Sequence, residues 1–226
     1  MNQLQKQLES GWCLLVSLAR NDVRLAQAAL RGGAVGLKIH INVHHHASGT
    51  HFGSWDEEKA NVTRIVEVAR EHGASVGIVP GGSPFATPEE FADMARSGVD
   101  YFDAYPSEAP AWTLSQGHLD VMLAAYFGGS IEEMQALEAL GMSLCEASIV
   151  NQDLYGTPLN ASDLAAYTHL ARNLKSSIIV PSQKAITTDD VAALRKTGAR
   201  ALLIGAVVTG RDASSIEAAT REFSSC

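Results

Sequence analysis

The sequence predicts an α/β protein of the (βα)8, or TIM, barrel class, and three observations carry that expectation. Strand-like and helix-like stretches alternate about eight times from one end of the chain to the other. The strand-like stretches are near-continuous apolar runs, as parallel strands covered on both faces require. The helix-like stretches begin at capping residues and stop at glycines or polar loops. A chain of 226 residues is about long enough for one such barrel. No linker, low-complexity segment or break in composition divides it, so residues 1–226 read as one domain. An open, doubly wound sheet fits the same alternation less economically.

Residues 1–11 form a polar, helix-like lead-in without an apolar signal core. Residues 12–20 are the first strand, and Asn21-Asp22 caps a helix through Leu30 that Gly32-Gly33 stops. The second strand, 34–42, alternates strictly: Leu37, Ile39 and Ile41 on one face, Lys38, His40 and Asn42 on the other. A long loop follows, then a helix from Trp55-Asp56 to about His72. Strand three spans 75–82. Thr87-Pro88-Glu89-Glu90 combines a cap, a first-turn proline and two acids for a helix ending at Gly98. Strand four is 99–105, followed by a short helix within 106–117, and strand five is 119–127. Ser130 opens a helix ending at Gly141. Strand six is 142–151, and its helix 160–175. Strand seven is 177–183, with a helix capped at Thr187-Thr188-Asp189-Asp190 and ending at Gly198. Strand eight is 201–206, and 212–223 is the closing helix.

A formal charge of −8 speaks against nucleic acid or an anionic membrane surface as partner, since both select basic patches. It leaves room for a small anion held by backbone amides. Cys13, Cys145 and Cys226 are far apart without metal-ligand spacing, so they read as reduced thiols of a cytoplasmic protein. No apolar run approaches the length of a membrane span. Neither a cofactor nor a resident metal is expected, and a homo-oligomer is compatible with the sequence.

Barrel active sites lie at the C-terminal ends of the strands, and the period of two selects what faces the mouth. That parity turns Lys38, His40 and Asn42 inward on strand two, Asp103 with Tyr101 and Tyr105 on strand four, and Glu146 with Ser148 on strand six. Strand one offers Ser17 and strand five ends in Tyr126. Charged residues in apolar strands need partners or a function, because unpaired burial costs several kcal/mol. The alternatives are a salt-bridged layer that satisfies only itself and a polar site awaiting substrate. Lys38, His40, Asp103 and Glu146 are therefore the candidate catalytic residues. The loop after strand two, with His40, holds five of the eight histidines. Three of them are consecutive and cannot converge on one ion. The loop reads as a lid hinged at Gly49 and Gly53 rather than a metal site.

The C-terminal part carries a resemblance. The segments Ile179-Val180-Pro181-Ser182-Gln183-Lys184-Ala185-Ile186-Thr187-Thr188-Asp189-Asp190 and Ala199-Arg200-Ala201-Leu202-Leu203-Ile204-Gly205-Ala206 are similar to the end of the ribulose-phosphate-binding barrels. Leu15-Val16-Ser17, the run 32–38 and Gly77-Ile78-Val79 extend this, and the chain most resembles the N-acetylmannosamine-6-phosphate epimerases. The resemblance implies a (βα)8 barrel acting on a small phosphorylated metabolite. It implies a phosphate held at Gly205 and Ala206, with Ser182 and Gln183 in place of the usual glycine pair. The epimerases' catalytic lysine and glutamate are missing: Pro80 and Gly81 stand at the first position, Pro181 and Ser182 at the second. Substrate-binding candidates are thus Ser17, Asn42, Ser182, Gln183, Gly205 and Ala206. The expected activity is an isomerase or epimerase working by proton abstraction next to a carbonyl. The alternatives are an aldolase-type lyase with Lys38 as Schiff-base amine, or a non-catalytic barrel that binds a phosphometabolite.

Overall fold

The structure, a computed structural model describing residues 3–226, contains a closed barrel of eight parallel strands. In chain order these are β1 (Cys13–Ser17), β2 (Gly36–His40), β3 (Ser75–Val79), β4 (Tyr101–Ala104), β5 (Asp120–Tyr126), β6 (Leu144–Ser148), β7 (Ser177–Pro181) and β8 (Ala201–Ile204). Each strand pairs with its neighbours in sequence, and β8 closes on β1. The helices are α1 (Gln3–Ser10), α2 (Val23–Arg31), α3 (Trp55–Glu71), α4 (Pro88–Ser97), α5 (Ile131–Ala139), α6 (Ala161–Asn173), α7 (Val191–Lys196), α8 (Ala206–Thr209) and α9 (Ala213–Ser224). The expected caps form: Asp22 accepts from the Arg24 amide, and Thr87 with Glu90 closes a capping box around Pro88.

The strands bury both faces. Val16, Leu37, Ile39, Val76, Phe102, Cys145, Val180 and Leu202 pack outward against the helices. The alternate residues Cys13, Leu15, Tyr101, Met122, Leu144, Ile179, Ala201 and Leu203 fill the lower interior. Two features complete that lower layer. Gly77 faces Tyr101 across the β3–β4 register, and a Cβ at Gly77 would lie 2.0 Å from the tyrosine ring. The lead-in helix α1 then plugs the bottom: Leu4 and Leu8 join the interior cluster, while Gln3 and Gln7 donate to the Gly73 carbonyl at the foot of β3. Met1 and Asn2, the start of the lead-in, lie outside the described residues. The bottom is thus closed by largely apolar side chains, and Lys38, Asp103 and Glu146 stand above that layer.

Local structure departs from the sequence expectation in several places. Segment 106–117 holds one 3-10 turn, Ala111–Ser115, rather than an α-helix. Pro106 and Pro110, four residues apart, each remove an amide donor. The His-rich loop is a short antiparallel hairpin, with His44 opposite His51 and His45 opposite Thr50, turning at Gly49 with φ 63°. Strand eight ends at Ile204, and the chain makes the single turn α8 before Gly210, at φ 69°, separates it from α9. Among the described residues no helix is long and apolar enough to cross a membrane. Cys13 and Cys145 are buried free thiols, pushed up to about 11 and about 12 by burial, which suits inert core residues.

Candidate active site

Strand parity brings Lys38, Asp103 and Glu146 together above the apolar layer. Lys38 Nζ donates to Asp103 Oδ2 at 2.7 Å and also to Glu146 Oε2. Ala124, beside Glu146 in the β5–β6 register, leaves room for the longer side chain. All three are buried, at 6%, 2% and 7% exposure, so their net charge matters. An ammonium with two ionised carboxylates would place a net negative charge in a low-dielectric interior, whereas one added proton makes the cluster neutral.

The titration behaviour follows that logic. Burial alone would drag Lys38 down, but the charges of Asp103 and then Glu146 outweigh it, and the amine is held protonated well above the usual lysine range. Burial, reinforced by the Asp103 charge and opposed by Lys38, pushes Glu146 up to about 8. Near neutrality the Asp103–Glu146 pair therefore holds a proton beside the Lys38 ammonium. The ammonium has three donors and spends two on the carboxyl groups, which leaves one for a ligand oxygen.

His40 lies two residues along β2 from Lys38. Asn21 fixes its backbone, donating to the His40 carbonyl at 2.7 Å and itself anchored to Glu58. The ring packs against His45 and Phe52 of the hairpin, with centroids 4.4 and 4.8 Å away. Its Nδ1 is buried and finds no hydrogen-bond partner among the described residues. Burial, then the neighbouring His45 and Lys38, lowers His40 well below the ordinary histidine range, so the ring is a neutral imidazole. His45, which shares a hydrogen bond with Ser48 at 2.8 Å, is lowered to about 4 by burial and by Lys38.

These groups form the floor and one wall of a cavity of about 300 Å³ at the C-terminal mouth. Ser17, Ser182, Gly205 and Ala206 line another side. Ser182 Oγ accepts the Gly205 amide at 2.8 Å. The amides of Ala206 and Val207 open α8 and have no intrahelical carbonyl to bond. A Cβ on Gly205 would sit 3.4 Å from Ser17 Cβ, so the glycine keeps this corner open.

Asn42 is placed elsewhere. The strand has ended at His40, Asn42 takes φ 56°, and its side chain donates to the Pro80 carbonyl away from the cavity. Tyr126 bonds Glu133 and also stands apart from the lining. Gln183 does line the cavity, and its amide is engaged within the protein: it accepts from the Val150 amide and donates to Ser148 and Tyr155. Two further residues had no signal in the strand pattern. Tyr155 reaches the cavity from the loop after β6, and Lys184 braces that loop from beneath, 2% exposed, bonded to Thr157 at 2.9 Å and paired with Asp163 at 3.4 Å. Only a spacing rule for loops could have found them, and none exists. Among the described residues no three histidine, cysteine or carboxylate side chains are placed to hold a metal ion.

No protein-family model and no curated protein sequence matches the chain. Solved structures do. A thiamine phosphate pyrophosphorylase from Pyrococcus furiosus is 17% identical, with 97% of this chain and 95% of that one covered at a TM-score of 0.68. The tryptophan synthase A-subunit from the hyperthermophile Pyrococcus furiosus is 15% identical, covering 96% and 98% at a TM-score of 0.72. A 3-hexulose-6-phosphate synthase is 16% identical, covering 94% and 98% at 0.64. At these identities the likeness is one of fold: the chain shares the (βα)8 barrel with all three.

Proposed function

We propose that this barrel is an isomerase or epimerase that moves a proton next to a carbonyl of a small phosphorylated metabolite. The observation that carries the reading is the buried Lys38–Asp103–Glu146 cluster at the floor of an open cavity, holding one proton between two carboxyl groups. Proton abstraction from a carbon beside a carbonyl needs a base, an acid and a partner for the enolate oxygen. The carboxylate of the pair that lacks the proton takes one from carbon. The other, protonated near neutrality, supplies one, and the third N–H of Lys38 meets the developing oxyanion. Neutral His40 adds a polarising ring without introducing another charge, a role suited to an imidazole whose protonation is suppressed.

The phosphate half of the reading rests on the free amides at the start of α8, the open corner at Gly205 and the motif resemblance. Two of the similar structures carry phosphorylated compounds in their names, in keeping with such a ligand. A Schiff base through Lys38 is disfavoured because the nucleophile must be the free amine, and both carboxyl groups hold it as ammonium. A barrel that only binds would have no use for a carboxyl raised to about 8 beside its ligand.

The test is incubation of phosphorylated ketoses and aldoses with the protein in heavy water, followed by proton NMR. Deuterium should replace the hydrogen next to the carbonyl of at least one compound, and Glu146→Gln should abolish that exchange. Binding without exchange would make the protein a non-catalytic barrel. A borohydride-trapped adduct on Lys38 would make it an aldolase-type enzyme.

A further inference from the structure

Three hydroxyls and one amide form a connected wall beside the reaction centre. Tyr105 follows β4, Ser148 ends β6, Tyr155 comes from the loop after β6, and Gln183 follows β7; all four line the cavity. Tyr105 and Ser148 share a hydrogen bond at 3.0 Å, and Gln183 Nε2 donates to Ser148 at 2.8 Å and to Tyr155. The orientation of the amide is fixed, because its Oε1 accepts the Val150 amide at 3.1 Å. Its two N–H groups must therefore point into the hydroxyl cluster.

Counting protons then decides what the wall offers. Ser148 Oγ has two lone pairs. Gln183 occupies one, and Ser148 and Tyr105 share one further proton between them. Tyr155 receives the other Gln183 proton and keeps its own O–H unspent. Whichever way the chain of bonds runs, the surplus donor is a tyrosine hydroxyl on the cavity wall. Burial raises both tyrosines, Tyr105 to about 12, so this donor persists across the physiological range.

We infer that Tyr105, Ser148 and Tyr155 form a neutral hydrogen-bond donor station for an uncharged oxygen of the substrate, a hydroxyl or carbonyl of a polyhydroxylated chain, beside a Gln183 amide that donates to the hydroxyls and takes no proton from them. The inference rests on the cavity being the ligand site, as proposed above, and names the part of the ligand between reaction centre and phosphate. A hydroxyl suits the site because it can also accept and donate without bringing charge. The loop carrying Tyr155 is held to the segment after β7 at three points: the Gly156 amide bonds the Gln183 carbonyl, the Ala185 amide bonds the Thr157 carbonyl, and buried Lys184 bonds Thr157 and pairs with Asp163. The donor is thus preorganised and needs no ligand to assemble it.

The test uses xylitol, a neutral polyol, and inorganic phosphate as separate probes, titrated by calorimetry at a mildly alkaline pH. Wild type should bind each. In Gln183→Glu the carboxylate accepts hydroxyl protons that the amide could not, so no donor is left over, and xylitol affinity should fall by roughly five- to tenfold, the worth of one neutral hydrogen bond. In Gln183→Met the hydroxyl cluster still has a proton to spare, and affinity should stay within about threefold of wild type. A merely structural glutamine predicts the reverse order, with the isosteric glutamate tolerated and methionine harmful. Phosphate silent and xylitol bound in that order would remove the phosphate reading and leave the donor station standing. No xylitol binding, or glutamate binding it as well as wild type, would overturn the station whatever phosphate does.

Discussion

Replacing Glu146 with glutamine should change how stability depends on pH. In the folded protein Glu146 is held at about 8, against an ordinary value of 4.5 for an exposed glutamate. Between those values the folded state binds one proton that the unfolded state releases. Stability from this group is therefore fully present below about pH 4.5 and is lost as pH rises through about 8, at about 1.4 kcal/mol per pH unit. From about pH 5.5 to 7.5 the wild type should lose about 3 kcal/mol through Glu146 alone. Glutamine keeps the shape and still offers Lys38 an acceptor, but it does not titrate. Titrating groups remote from the cluster are common to both proteins and cancel in the difference, whereas Lys38 and Asp103 touch Glu146, so the difference reports the cluster as a unit. Urea unfolding followed by fluorescence is the assay, since Trp55 is buried and hydrogen-bonded to Asp93. The variant should gain on the wild type by about 3 kcal/mol over that interval, while losing proton exchange. Parallel curves for the two proteins would refute the claim that Glu146 carries a proton in the folded state.

Three further outcomes are expected. Lys38→Met should remove activity at a stability cost below the about 3 kcal/mol typical of a broken buried ion pair, because Glu146 already holds a proton; full activity with a large drop in the urea midpoint would make the cluster purely structural. Gly205→Leu should abolish binding of inorganic phosphate, measured by calorimetry, with the unfolding free energy within about 1 kcal/mol of wild type; unchanged affinity would exclude the α8 corner as the anion site. Gly77→Ala should cost on the order of 2–3 kcal/mol in urea unfolding, since its Cβ would meet the Tyr101 ring at 2.0 Å; an unchanged midpoint would show that the ring has another place to go.

The barrel and the core of its site were legible because both follow from the period of two. Leu37 and Ile39 face the helices, which forces Lys38 and His40 inward, and the same parity delivers Asp103 and Glu146. The strict alternation continues through Ile41 and Asn42 in sequence, yet the backbone leaves the strand at His40, and a positive φ at Asn42 turns that side chain away. Periodicity cannot report where a strand stops. The hairpin within the His-rich loop was hidden for a related reason: its two-residue arms are too short to show alternation. Tyr155 and Lys184 belong to a loop contact between residues 27 or more apart in sequence. A lysine after strand seven reads as solvated until Thr157 and Asp163 are seen around it.

The proposed chemistry requires a protonated carboxyl group in the barrel mouth at neutral pH. Infrared difference spectroscopy reads such a group directly, through the carbonyl stretch that a carboxylic acid has and a carboxylate lacks. The wild type should show a protonated-carboxyl band at neutral pH that fades with a midpoint near 8 and is absent from Glu146→Gln. A wild-type spectrum without that band at neutral pH, or a band that survives in Glu146→Gln, would contradict it.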